Sequence, residues 1–87
     1  MMTDTELRDA VGAMYASVRE GEGNPGRRNG ADELFRDRYR ACVVAGAIPP
    51  AVEHELRAAL VALAGGDDWP AASAHLAQAL HHLPVAR

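Results

Sequence analysis

Apolar positions along the chain recur at steps of three and four, and this rhythm predicts four helices. Leu7, Ala10, Val11, Met14 and Val18 form one stripe over about residues 4–20. Thr3 and Glu6, just ahead of it, have the S/T-x-x-E spacing of a capping box. Gly12 interrupts the stripe at a cost of about 1 kcal/mol relative to alanine, which marks it as a point of close helix contact. Phe35, Tyr39, Cys42, Val43 and Gly46, flanked by Leu34, predict a second helix over about 32–46. Asp32 and Glu33 stand in its first turn, where the helix dipole favours them, and Asp32 can pair with Arg36 one turn on. Val52, Leu56, Ala59, Leu60 and Leu63 give the most regular stripe, over 50–64. Trp69, Ala72, Leu76, Ala79, Leu80 and Leu83 give the last, over 68–83. No useful stretch alternates with period two, so no strand is expected.

The breaks between stripes are equally legible. Residues 21–30 contain four glycines, two asparagines and a proline, which predicts one long mobile loop over 21–31. Ile48-Pro49-Pro50 forces an extended break, because a residue before proline avoids helical geometry. Pro50 then suits the first position of the third helix. Gly65-Gly66 is read as the end of that helix, Asp67 or Asp68 as the cap of the fourth, and Pro84 as its stop. The expectation is an all-α four-helix bundle, one domain over residues 1–87, with antiparallel neighbours across its short connections.

Composition narrows the function classes. A chain of 87 residues buries only about 60–65% of its unfolded surface. Much of its apolar content is alanine, and its aromatics are Tyr15, Phe35, Tyr39 and Trp69. The core must be compact, or be completed by a second copy or a partner. The net charge is −3 and all nine basic residues are arginine. A mildly acidic chain is a poor general ligand for phosphate backbones. Cys42 is the single cysteine, so no internal disulfide forms. The acidic start lacks the basic and apolar regions of a signal peptide, and no apolar run approaches about 18–20 residues. A cytoplasmic protein is expected.

Candidate chemistry is sparse. His75 and His82 share a flank but stand about 10 Å apart along the axis, too far for one metal ion. No two histidines have the i,i+4 spacing of a zinc helix. His54 points away from its helix's stripe. Glu53, His54 and Glu55 are adjacent, so their side chains diverge and no acid–base pair converges. Neither metal, cofactor nor catalytic residue is expected. Cys42 reads as a small buried hydrophobe. Arg27, Arg28, Arg36, Arg38 and Arg40 are the one basic concentration and the candidate partner-binding residues, suited to phosphate or an acidic protein. Asp32, Glu33 and Asp37 are interleaved with them, and a solvated helix face is the simpler reading.

One segment resembles a known family. Asp68-Trp69, Ala72, Leu76, Ala79-Leu80 and Pro84 are spaced like the second helix of a tetratricopeptide repeat, and Pro50 and Pro84 lie 34 positions apart. The resemblance covers residues 50–84. Leu56, Leu60 and Leu63 serve the packing role in the first helix, without that family's tyrosine. The resemblance implies that Leu56, Leu60, Leu63, Trp69, Ala72, Leu76 and Leu80 build a helical scaffold. More weakly, Gly46-Ala-Ile-Pro, Leu56, Leu60 and Gly66-Asp-Asp-Trp69-Pro-Ala-Ala72 look like the C-terminal helical domain of the steroid receptor RNA activator protein and of COPII scaffolds. His75 falls one residue early for that pattern. Both resemblances imply a non-enzymatic protein–protein interaction module: an adaptor, an inhibitor or an assembly factor. A short acidic inhibitor of the kind phages and plasmids encode is one concrete form. Its partner would be another protein, and a homodimer through helices three and four, or helix one, is expected as well. The alternatives are a nucleic-acid-associated protein using the arginines of helix two, and a small-molecule-binding bundle or minor enzyme subunit.

Overall fold

The computed structural model describes residues 2–46 and 48–83. It is an all-α bundle of four helices, with no strand among the described residues. They are α1 (Asp4–Gly23), α2 (Arg28–Ala45), α3 (Pro50–Gly66) and α4 (Trp69–His82), with a single 3-10 turn at Pro25–Arg27 between the first two. The expected stop at Pro84 lies outside the described residues.

The helix starts follow the expected chemistry. Thr3 accepts a hydrogen bond from the Glu6 backbone while the Glu6 carboxylate accepts one from the Thr3 backbone, a complete capping box. Pro50 opens α3, and the Asp68 carboxylate accepts from the Ala71 backbone at 3.1 Å to cap α4. Gly65 and Gly66 fall inside the last turn of α3, not after it. The left-handed capping residue is Asp67, at φ 50° and ψ 37°.

The expected loop over 21–31 is a correction. α1 continues through Gly21–Gly23, and α2 already begins at Arg28. Contacts that composition does not display support the extra turns. The Asn24 backbone N–H bonds Glu20, and the Arg28 guanidinium donates from Nε to the Gly21 carbonyl at 2.8 Å. These satisfy carbonyls that a helix end otherwise leaves open. The break itself is short, because Asn24 precedes a proline and turns extended. Its side chain then caps the 3-10 turn by accepting from the Gly26 backbone.

α1 and α2 form one antiparallel hairpin, α3 and α4 a second, and the two join where α1 packs on α4. α1 and α4 are therefore central, while α2 and α3 lie outside and meet only slightly. The radius of gyration is 11.9 Å. A compact domain of this length has about 12 Å, so the slight α2–α3 contact is a local opening and not a loose fold.

The core contains Leu7, Val11, Met14 and Val18 from α1, Phe35 and Cys42 from α2, Leu56 and Leu63 from α3, and Trp69, Ala72 and Leu76 from α4. Ser17 ties the first hairpin by donating to the Ala31 carbonyl at 3.2 Å. Gly12 does not mark a close contact, since a Cβ built there meets nothing within 4 Å. The glycine that does so is Gly21, where the Trp69 ring lies against the helix backbone.

Candidate interaction surface

The two ends of α2 use their arginines differently. Arg28 is half-buried, bonds Gly21 and sets its guanidinium 5.4 Å from the centre of the Trp69 ring. It fastens the α1–α2 turn to α4. Arg27 pairs with Glu20 at 3.3 Å on the exposed surface. Arg36 binds Asp32 through Nε at 3.0 and 3.1 Å, the expected i,i+4 pair. Arg38 pairs with its neighbour Asp37 at 3.2 Å. Arg40 is exposed and makes no ion pair among the described residues. The five arginines thus differ in their surroundings: Arg28 is half-buried against Trp69, three members are paired on the surface, and Arg40 makes no ion pair among the described residues.

Arg40 borders the opening between α2 and α3. This shallow groove has a volume of about 270 Å³ and is lined by Arg36, Tyr39, Arg40, Val43 and Leu60. Two expectations change here. Val43 was placed on the packing face of α2, but it is 55% exposed. Gly46 was placed there too, but α2 ends at Ala45 and Gly46 is exposed at φ 82°. Leu60, a scaffold residue, is half-buried against the core and also lines the groove. Gly46 lies past the helix end, whereas the exposure of Val43 comes from packing. α1 covers one flank of α2, the arc carrying Ala31, Phe35 and Cys42, and α3 stands too far away to cover the next arc. Tyr39 lies at the boundary, its ring 6.0 Å from that of Phe35 and tilted 43° to it.

Leu34, Val43 and Val44 on α2 and Val61 on α3 are the large apolar side chains left exposed among the described residues. Three of the four thus lie on α2. A second depression between α1 and α2 is floored by Ala13, Ala16 and Leu34. It overlies a packed seam that Ser17 already closes. The outer face of α2 mixes Glu33 and Asp37 with Arg36, Arg38 and Arg40, the pattern of a solvated surface.

The remaining scaffold residues stand where the stripes place them. Leu56, Leu63, Trp69, Ala72 and Leu76 are buried, while Leu80 is half-buried. The Trp69 indole N–H is buried with no hydrogen-bond acceptor among the described residues. Cys42 is wholly buried near Met2, Leu7 and Ile48, and burial pushes its thiol pKa up. A raised pKa depletes the reactive thiolate.

One contact was not legible in the sequence. His75 Nδ1 lies 3.2 Å from a Glu55 carboxylate oxygen, linking α4 to α3 across twenty positions. The adjacent surface depression is lined by His54, Arg57, Ala58, Val61, Ala62 and His75 and offers no hydroxyl or thiol nucleophile. No group of three metal-binding side chains occurs among the described residues. No described helix is long and apolar enough to cross a membrane. Compared with protein-family models, curated proteins and solved structures, the chain matches none of them.

Proposed function

We propose that this chain is a small non-enzymatic protein–protein interaction module, an adaptor, inhibitor or assembly factor, that engages its partner through the opening between α2 and α3. The observation that carries this reading is the incomplete cover of Tyr39, Val43 and Leu60. The other three helix–helix seams are packed, and here an apolar strip borders solvent between two helices. Apolar side chains grouped on one face, with a charged rim, are the composition of a contact surface. The α3–α4 hairpin, with its tetratricopeptide-like spacing, serves as the scaffold that holds α1 and, through it, α2. The reading is non-enzymatic because the one histidine–carboxylate pair among the described residues, His75 with Glu55, joins two helices beside a surface without a nucleophile.

The test is affinity capture from cells of the native host with the wild-type chain and with Val43→Asp, followed by mass spectrometry. Val43 is exposed, so the substitution leaves the core intact. A partner retained by the wild type and lost by the variant supports the proposal. Equal retention moves the contact to another face, and the absence of any specific partner removes the reading.

A further inference from the structure

We infer that the α2–α3 opening receives an amphipathic α-helix of a partner protein that carries carboxylates beside its apolar stripe. This rests on the interaction reading above and adds the shape and charge of the occupant.

The shape follows from spacing. Arg36, Tyr39, Arg40 and Val43 stand at offsets of three, four and seven, so they form one ridge of α2. At 1.5 Å per residue the ridge is about 10 Å long, close to two turns. Leu60 of α3 forms the facing wall. A shallow groove between two helices, lined by this ridge and by Leu60, suits a third helix laid against it, anchored by apolar residues at i, i+3 or i+4, and i+7. Its volume of about 270 Å³ lies below the roughly 300–1,000 Å³ of small-molecule pockets.

The charge follows from the rim. Both charged residues lining the groove are arginines. Asp32 already neutralises Arg36, which leaves Arg40 as the groove's charge without an ion-pair partner among the described residues. A carboxylate on the incoming helix would complete it. A second copy of this chain, docked groove to groove about a two-fold axis, would bring the two arginine rims together. That juxtaposition of like charges disfavours it. Nucleic acid would need several free cations, and the same helix carries Asp32, Glu33 and Asp37.

The experiment is selection of displayed helical peptides on the intact chain. The probe is a library with apolar residues fixed at i, i+3, i+4 and i+7 and all flanking positions randomised. Enrichment of Asp and Glu at the flanks is expected. Binding of the enriched peptides should weaken at least fivefold with Val43→Asn and about fivefold with Arg40→Glu, the size of an exposed ion pair. Arg40→Glu should also turn the selection toward Lys and Arg. Enrichment of basic or neutral flanks overturns the inference, as do binders indifferent to both substitutions. A homodimer in light scattering that Val43→Asn dissociates would put a second copy in the groove instead. If no peptide is enriched while the host partner is still captured in a Val43-dependent way, the inference falls and the interaction reading stands. If neither occurs, both fall.

Discussion

Gly21→Ala should destabilise the fold even though alanine is the better helix former. A Cβ at position 21 would stand 2.5 Å from Cζ3 and 2.9 Å from Cε3 of Trp69. Carbon atoms in ordinary contact sit about 3.5–4.0 Å apart, so the ring or the helix must move by about 1 Å. The ring has little freedom to do so. It is 3% exposed, and the Arg28 guanidinium lies over it. Overpacking of this kind costs about 1–3 kcal/mol, against less than about 1 kcal/mol returned by helix propensity near a helix end. The net loss is about 1–2 kcal/mol. Gly12 of the same helix is the internal control, because a Cβ there meets nothing within 4 Å. Gly12→Ala should therefore gain about 0.5–1 kcal/mol. Urea unfolding followed by far-ultraviolet circular dichroism measures both. In melting temperature the two variants should diverge, at about 4–8 °C per kcal/mol for a domain of this size. Adding Trp69→Phe shortens the ring, so Gly21→Ala should cost less in that background, a positive coupling in the double-mutant cycle. A Gly21→Ala variant as stable as Gly12→Ala would refute the close packing of α4 on α1.

Trp69→Ala should cost about 3–5 kcal/mol in the same assay, whereas Trp69→Phe should cost much less because it also removes the unpaired buried indole N–H. The backbone N–H of Thr3, and then its hydroxyl, hold the Glu6 carboxyl below its ordinary value of 4.5. A depressed folded-state pKa gives stability that is fully present above about 4.5 and lost as pH falls through the lowered value. The stability difference between wild type and Glu6→Ala should therefore be larger at neutral pH than at strongly acidic pH, as read from unfolding midpoints. Cys42 should resist a thiol reagent in the native state and react at the rate of a free thiol in denaturant, since it is fully buried; rapid native labelling would show that the α1–α2 seam opens.

The helices were legible because burial imposes its own period on the sequence. Val11, Met14, Leu56 and Leu76 are all essentially inaccessible, and each stands in the stripe that predicted it. The caps at Thr3 and Asp68 were legible because capping chemistry is local. The turn at Gly21–Arg28 was not, because its helical geometry depends on Arg28 and on a tryptophan some forty positions away in sequence. The groove was half-legible. The apolar stripe of α2 is wider than one neighbouring helix can cover, and Tyr39 and Val43 are the surplus. Periodicity reports that a side chain is apolar, but not which helix covers it. The separate fates of the arginines, Arg28 half-buried against Trp69 and Arg40 without an ion pair among the described residues, likewise depend on how the two hairpins meet.

The claim that the opening between α2 and α3 is the working face can be tested by chemical-shift mapping. The isotope-labelled chain would be titrated with the partner captured from its native host. The account predicts the largest backbone shifts at Tyr39, Val43 and Leu60, with the α1–α4 seam around Val11 and Leu76 little changed. Shifts concentrated on the outer faces of α1 and α4, with Val43 and Leu60 unmoved, would contradict it.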